Sequence, residues 1–515
     1  MNITAVQEWQ VLEQKALDGG GKSKIERQQA AGKLTARERL GMLLDKESFT
    51  EIDRLAVSPF LQEKEFTDGV ITGFGTVNGQ KIAVYAQDFT IKGGSLGKRH
   101  AEKICKVMDM AARVGCPIIG IIDSGGARID EGIHALAGYA QIFKRNCHYS
   151  GVVPQISIIL GPCAGGAVYS PALTDFVFMT ESISQMFITG PQVIEQVAHQ
   201  KVTKEELGGA QVHATKSGVA QVICATETEC FDKVKALLSY LPSSYLDEAK
   251  HAQRENTPPK TRTENTAHIS TLVPINPNQA YNIKNVIDNV IDDEFFELQP
   301  SFAPNIIIGF ARLDGMVIGL VANQPFVKAG TIDIDASCKA ARFIRFCDSF
   351  NIPLISLVDT PGYLPGVEQE HNGIIRHGAK LLYAYASATV PKITLVLRKA
   401  FGGAYIVMGS KELGADFNFA WPMAQIAVLG ARAGVTIMHG KAIAAAPAEQ
   451  QTNMQEDLEQ KYTTEFLNPM TAAEYGYIDA IIYPDETREQ LVRALQITRD
   501  KVEPRPVRKH DNMPL

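Results

Sequence analysis

The stretch GFGTVNGQKIAVYAQDFTIKGG (residues 73–94) returns later in the chain as GFARLDGMVIGLVANQPFVKAG (residues 309–330), at a constant spacing of 236 residues (309 − 73). The spacing pairs Gly79 with Gly315, Ala86 with Ala322, Lys92 with Lys328 and Gly94 with Gly330, and it persists to Pro117 and Pro353 and to Asp123 and Asp359. CPIIGIIDSGGAR therefore matches IPLISLVDTPGYL. After a slip of one residue, VPQISIILGPCAGGAVY from Val153 matches VPKITLVLRKAFGGAYI from Val390. Register kept across three strand-and-turn units means two copies of one domain, with a period far beyond that of solenoid repeats.

Within each copy, Val-, Ile- and Leu-rich runs of strand length end in Gly or Pro turns. They lead into amphipathic stretches such as AEKICKVMDMAARV and SCKAARFIRFCDSF. That alternation predicts a layered α/β architecture. Between the copies, residues 251–279 are rich in Pro, Thr and Asn and poor in apolar periodicity, the composition of a linker. The expected division is an N-terminal domain over residues 1–255, a linker over 256–279 and a C-terminal domain over 280–515.

A chain of 515 residues is too long for one ordinary core. A net charge of −6 excludes a surface built to neutralise a nucleic-acid backbone, so anionic ligands must be met locally. The eight cysteines include no C-x-x-C pair, which points to a reducing compartment. No apolar run reaches the ~18 residues a spanning helix needs, and a cytoplasmic location is expected. The segment ALDGGGKS (residues 16–23) imitates a phosphate loop, but helical periodicity precedes it where a buried strand is required. It reads as a turn between two surface helices.

Each copy ends one strand at an Asp turn (SGGAR after Asp123, TPGY after Asp359) and a second at a Gly-Gly turn (Gly165-Gly166, Gly402-Gly403). Glycine at a strand-to-helix turn admits positive φ and close approach, and the first N–H groups of the helix lack intrahelical acceptors. Such donors can serve packing alone, or hold an oxyanion formed in a transition state at roughly 3 kcal/mol per donor. AGGAVYS and FGGAYIVM place no Ser, Cys or Lys nucleophile at the turn. His100, His371 and His377 are candidate acids or bases, and no spacing of His, Cys or carboxylates marks a metal. KGGSLGKRH (residues 92–100) sets Lys98 and Arg99 at the start of a helix, either a solvated helix start or a site for phosphate.

With these features in hand, the sequence resembles the carboxyltransferase (β) subunits of biotin-dependent acyl-CoA carboxylases of the propionyl-CoA carboxylase type. The blocks that carry the resemblance run through nearly the whole chain: GKLTARERL at Gly32, SGGARIDEG at Ser124, SGVVPQISIILGPCAGGAVYSPALTDF at Ser150, SQMFITGP at Ser184, EELGGAQVH at Glu206, RFCDSFNIPL at Arg345, GIIRHGAKLLYAY at Gly373 and RPVRKHDNMPL at Arg505. The resemblance implies tandem crotonase-like domains, a homo-hexamer with active sites between the N-half of one subunit and the C-half of another, and biotin carried covalently on a partner (α) subunit with biotin carboxylase and carboxyl carrier functions. It implies that Gly165, Gly166 and Ala167 hold the acyl-CoA thioester oxygen. Gly402, Gly403 and Ala404 hold the biotin ureido oxygen, and carboxybiotin then releases CO2 to a stabilised enolate. Gly125, Gly126, Ala127, Arg128, Lys98, Arg99, Gly362 and Ile406 are the expected substrate-binding residues.

In this family the position of Ile406 helps to tell acetyl from propionyl substrates. Propionyl-type enzymes tend to carry Asp there, so Ile406 implies a pocket accepting acetyl-CoA or longer chains as well. Arg432 and Ala433 replace the family's acidic-glycine pair. The same half-reaction run in reverse, in a methylmalonyl-CoA decarboxylase or transcarboxylase, stays open. A crotonase-like hydratase or isomerase would need free carboxylates, for which Asp130 and Glu131 are the candidates.

Overall fold

A computed structural model describes residues 3–60, 62–248 and 268–514. The chain divides into two compact units, Met1–Glu248 and Ala249–Leu515. The first holds strands β1 (Thr50–Ile52), β2 (Val70–Val77), β3 (Gln80–Gln87), β4 (Ile118–Ser124), β5 (Gln155–Ala164), β6 (Phe176–Thr180), β7 (Gln185–Phe187) and β8 (Val222–Cys224). The second repeats them as β9 (Phe296–Leu298), β10 (Ile306–Leu313), β11 (Met316–Asn323), β12 (Leu354–Thr360), β13 (Lys392–Phe401), β14 (Phe417–Ala420), β15 (Gln425–Ala427) and β16 (Ala480–Ile481).

The sheet order in unit 1 is β1-β2-β3-β4-β5-β6-β8 with β7 beside β5, and in unit 2 it is the same in the corresponding strands, with β15 beside β13. The hairpins β2–β3 and β10–β11 are antiparallel, and the strands that follow are parallel. Even the irregularity repeats: the β4–β5 register shifts between Ile122 and Ser124, and the β12–β13 register between Val358 and Thr360. Each unit is thus an α/β layer of the crotonase-like kind, and the two are copies.

Local sequence accounts for the elements. β4 and β12 are buried at every residue, as central parallel strands covered on both faces must be. The helix Lys98–Val114 buries Ala101, Ile104, Cys105, Met108 and Ala111 at helical spacing, and Gly115 ends it in the left-handed region at φ 63°. Its counterpart Ile334–Ser349 buries Ala340, Phe343, Ile344 and Cys347, and Asp333 caps it by accepting from the Ala336 N–H.

The ALDGGGKS turn joins helices Ile3–Leu17 and Lys22–Ala30. Gly20 lies so close to Thr90 that a Cβ would stand 2.0 Å from its carbonyl oxygen, which leaves no cradle for a phosphate.

The expected linker differs from the structure at its end. Residues 249–267 lie outside the described residues, but residues 268–279 belong to unit 2. Ile269 and Val273 are buried in its core, the carbonyls of Asn276 and Gln279 accept from Arg398 Nη1 at 2.9 and 2.8 Å, and that of Pro277 accepts from Lys399 Nζ at 3.0 Å. Linker-like composition misleads here because backbone carbonyls, which composition does not report, bind the segment.

Candidate active site

The two Gly-Gly turns stand at the ends of β5 and β13, where α/β sheets place ligands. Gly165 and Gly402 both adopt positive φ, 64° and 57°, the left-handed region that glycine enters without the strain of a Cβ as the chain turns from strand to helix. Ala164 and Phe401 precede the helical turns and supply no side-chain cap, which leaves the leading N–H groups without an acceptor of that kind. A Cβ on Gly165 would meet nothing nearer than the Ile188 carbonyl at 4.0 Å, so the space above that turn is open. Gly166 lies over the ring of Tyr139 and Gly403 over the ring of Tyr363, and Ala167 and Ala404 are buried beneath the turns as anchors.

The neighbouring strands β4 and β12 end beside these turns. Gly126 has φ 105° and its N–H donates to Ser124 Oγ at 3.1 Å; Gly362 has φ 135° and donates to Thr360 Oγ1 at 3.3 Å. A Cβ on Gly126 would lie 2.8 Å from the Ala164 carbonyl, so glycine is what lets the two turns of unit 1 meet. Gly125 donates to the Gly93 carbonyl at 3.0 Å, and Ala127 bridges to Leu96 as Tyr363 does to Ile332. These residues shape the site; the Gly125 and Gly126 N–H groups are already engaged within the protein.

Burial and charge separate the other candidates. Lys98 and Arg99 are about half exposed and share Glu102 at 3.9 and 2.7 Å. Arg128, expected beside them as a substrate-binding cation, points inward. Its side chain is buried, with Nη1 2.6 Å from Asp68 and 2.8 Å from Glu131 and Nη2 2.9 Å from the Ser95 carbonyl. Glu131 also accepts from the Lys98 N–H at 2.6 Å and from Ser58 Oγ at 2.6 Å. The helix N-terminus read as a phosphate site is therefore filled by a carboxylate, and only the side chains of Lys98 and Arg99 face solvent there. Ile406 sits two residues past Ala404, half exposed, on the short helix Gly402–Val407.

Among the described residues none of the three candidate histidines hydrogen-bonds to a Gly-Gly turn. His100 is buried, faces Gln87 at 3.3 Å and the Asp68 carbonyl at 3.0 Å, and burial holds its pKa well below the usual imidazole range. His371 is exposed on the five-residue helix Val367–His371. His377 contacts Cys338 Sγ at 3.1 Å. Glu131 is engaged by hydrogen bonds and a cation that hold its carboxyl below the usual range against its burial, and Asp130 is exposed opposite Lys92 at 3.9 Å. No free carboxylate thus stands ready for hydratase chemistry in this loop.

Two functional-looking residues escape a reading of motifs. Lys103 donates to the carbonyls of Thr67 and Val70, and Lys339, 236 residues on, donates to those of Ala303 and Ile306 and two more. Burial pulls their pKa values down to about 8 and about 7. The 236-residue spacing was the available signal, since it pairs two lysines on the buried faces of equivalent helices. They clamp the turns entering β2 and β10.

Among the described residues no cluster of His, Cys, Asp and Glu could hold a metal ion, and no helix is long and apolar enough to cross a membrane.

Comparison with known proteins accords with this geometry. The family described as the carboxyl transferase domain matches residues 27–513. The carboxyltransferase subunit of propionyl-CoA carboxylase from Haloferax mediterranei is 51% identical over 98% of this chain and 97% of its own length. The alpha subunit of methylmalonyl-CoA decarboxylase from Propionigenium modestum is 50% identical over the whole of both chains. The crystal structure of transcarboxylase 12S, a hexamer with methylmalonyl-coenzyme A bound, superposes with a TM-score of 0.94 at 44% identity, covering 99% of this chain and 98% of that one. The match over residues 27–513, on a fold built from two copies of one α/β layer, shows that this chain belongs to the carboxyl transferase family.

Proposed function

We propose that this chain is the carboxyltransferase component of a biotin-dependent acyl-CoA carboxylase. Unit 1 receives a short acyl-CoA, propionyl-CoA and also acetyl-CoA, and unit 2 receives biotin borne by a partner subunit. The observation that carries the reading is the duplicated turn: Gly165-Gly166-Ala167 and Gly402-Gly403-Ala404 offer uncapped backbone N–H groups and no side-chain nucleophile. Two polar carbonyl oxygens, one on a thioester and one on a ureido ring, are the ligands such a pair of donors suits.

Carboxybiotin, when bound, supplies the carboxyl group and the basic nitrogen that the protein lacks. Gly402 and Gly403 suit the ureido oxygen because both turn positions leave bare backbone. In unit 1 the N–H groups of the Gly166 turn lower the energy of the negative charge that develops on the thioester oxygen when the α-proton leaves. Lys98 and Arg99, exposed and cationic, support the polar tail of the CoA by charge. Assembly as a homo-hexamer, with each site completed by a second copy, belongs to the same proposal.

The reverse direction has its own support, because a methylmalonyl-CoA decarboxylase subunit and a propionyl-CoA carboxylase subunit are equally similar to this chain, at 50% and 51% identity. Incubation of the chain with free biotin and either malonyl-CoA or methylmalonyl-CoA, without ATP, tests the shared half-reaction. Carboxyl transfer to biotin is expected, and absence of transfer from both donors contradicts it.

A further inference from the structure

The two units differ in a buried polar network. In unit 1 a continuous polar chain starts at the end of β4: the Asp123 N–H donates to Gln87 Oε1 at 3.3 Å, and Gln87 Nε2 faces His100 Nε2 at 3.3 Å. Because that amide nitrogen is the donor, His100 carries its proton on Nδ1, which donates to the Asp68 carbonyl at 3.0 Å. The Asp68 carboxylate accepts from the His100 N–H at 2.9 Å and from Arg128 Nη1 at 2.6 Å. Arg128 passes on to Glu131 at 2.8 Å and to the Ser95 carbonyl at 2.9 Å. Glu131 closes the chain on the Lys98 N–H and on Ser58.

At the 236-residue spacing, unit 2 keeps the first link and replaces the charged ones. Asn323 stands for Gln87 and accepts from the Asp359 N–H at 3.3 Å, but Ala336 replaces His100, Pro304 replaces Asp68, Leu364 replaces Arg128 and Val367 replaces Glu131. The backbone it would hold is conserved, since the Arg128 N–H bonds to the Leu96 carbonyl as the Leu364 N–H bonds to that of Ile332. In unit 2 other groups hold the equivalent helix start: Asp333, paired with Lys328 at 2.7 Å, caps the Ala336 N–H, and Gln369 Oε1 accepts from the Ile334 N–H at 3.1 Å.

We infer that Arg128 is a positioning residue for the acyl-CoA side: through Asp68, Glu131 and Ser95 it fixes the Gly125–Gly126 turn and the start of the Lys98 helix against each other. The inference rests on the proposed assignment of acyl-CoA to unit 1. Its logic is geometric. The Lys98 and Arg99 side chains leave the helix at the residues Glu131 caps, and Gly126 abuts the carbonyl of Ala164 just before the Gly165–Gly166 turn. A loop shifted by a fraction of an ångström would move both the cationic end and the oxyanion end of the acyl site. The other reactant would not feel it.

The test uses the full chain in ATP-free transfer from methylmalonyl-CoA to free biotin. Arg128→Lys keeps the charge but loses the forked contact; Ser58→Ala removes one hydroxyl from Glu131 and buries no new charge. Arg128→Lys is expected to raise the KM for methylmalonyl-CoA about tenfold or more, with the KM for biotin unchanged, in line with the cost of small misplacements at a reacting centre. Ser58→Ala should move the same constant by less, and it decides the matter if Arg128→Lys does not fold. If neither folded variant changes the KM for methylmalonyl-CoA, or if both constants rise together, the positioning role is wrong while the assignment of the units stands. A rise in the KM for biotin alone overturns the assignment of the units as well.

Discussion

The guanidinium of Arg39 lies 2.8 Å from the Asp123 carboxylate at the end of β4. In unit 2 Arg398 makes the corresponding contact with Asp359 at 3.0 Å, although the position equivalent to Arg398 in unit 1 is Gly161. Both carboxylates are fully buried. A Cβ on Gly161 would stand 1.9 Å from Asp123, so the arginine of unit 1 had to come from elsewhere in the chain. Arg39→Met leaves Asp123 with Lys33 alone and strips Glu227 of its partner at 2.7 Å. Urea unfolding should show a loss of about 3 to 5 kcal/mol, the cost of breaking a buried pair from one side. A loss under ~1 kcal/mol would mean that these groups are neutralised in another way.

Acid sensitivity follows from His100. Burial holds it neutral in the folded state, with a pKa well below 6.5. An unfolded chain takes up that proton as pH falls through about 6.5 and the folded chain does not, so stability is lost on the acid side at about 1.4 kcal/mol per pH unit from this group. His100→Asn retains a donor for the Asp68 carbonyl and does not titrate. The urea midpoint of the wild type should fall more between pH 7.5 and 5.5 than that of His100→Asn; equal falls would place the acid sensitivity elsewhere.

Ile406 is half exposed just beyond the Gly402–Gly403 turn, and it meets the acyl chain only under the proposed assembly, in which a second copy completes each site. Ile406→Asp should shift the ratio of kcat/KM for malonyl-CoA and methylmalonyl-CoA as transfer donors, by roughly tenfold for a change of one methylene in an apolar contact. An unchanged ratio removes Ile406 from the specificity argument.

Much of this was legible in the sequence because duplication is a long-range signal that needs no propensity. A spacing of 236 residues aligns the hairpins and the Asp turns, and a slip of one residue aligns the Gly-Gly turns. Arg128 shows where legibility stopped. Within SGGAR a ligand-facing cation and a clamp read alike, and the partner that settles the matter, Asp68, is 60 residues away. His100 reads in the sequence as a candidate acid or base beside Lys98 and Arg99, while the helix turns it inward and leaves the other two more exposed. Residues 268–279 looked like linker because Pro and Asn hide the carbonyls that Arg398 and Lys399 hold.

The central claim is that the two Gly-Gly turns serve different reactants, and Gly403→Val tests it most directly. Gly403 lies outside the left-handed region and a Cβ there meets only the Tyr363 ring at 3.9 Å, so the position accepts a side chain's first carbon without backbone strain. Titration calorimetry with acyl-CoA and the ATP-free transfer assay, both on the folded variant, read the two sides separately. The account predicts unchanged acyl-CoA affinity with transfer to biotin reduced at least a hundredfold, the scale of losing an oxyanion donor. Loss of acyl-CoA affinity with biotin turnover intact would contradict it.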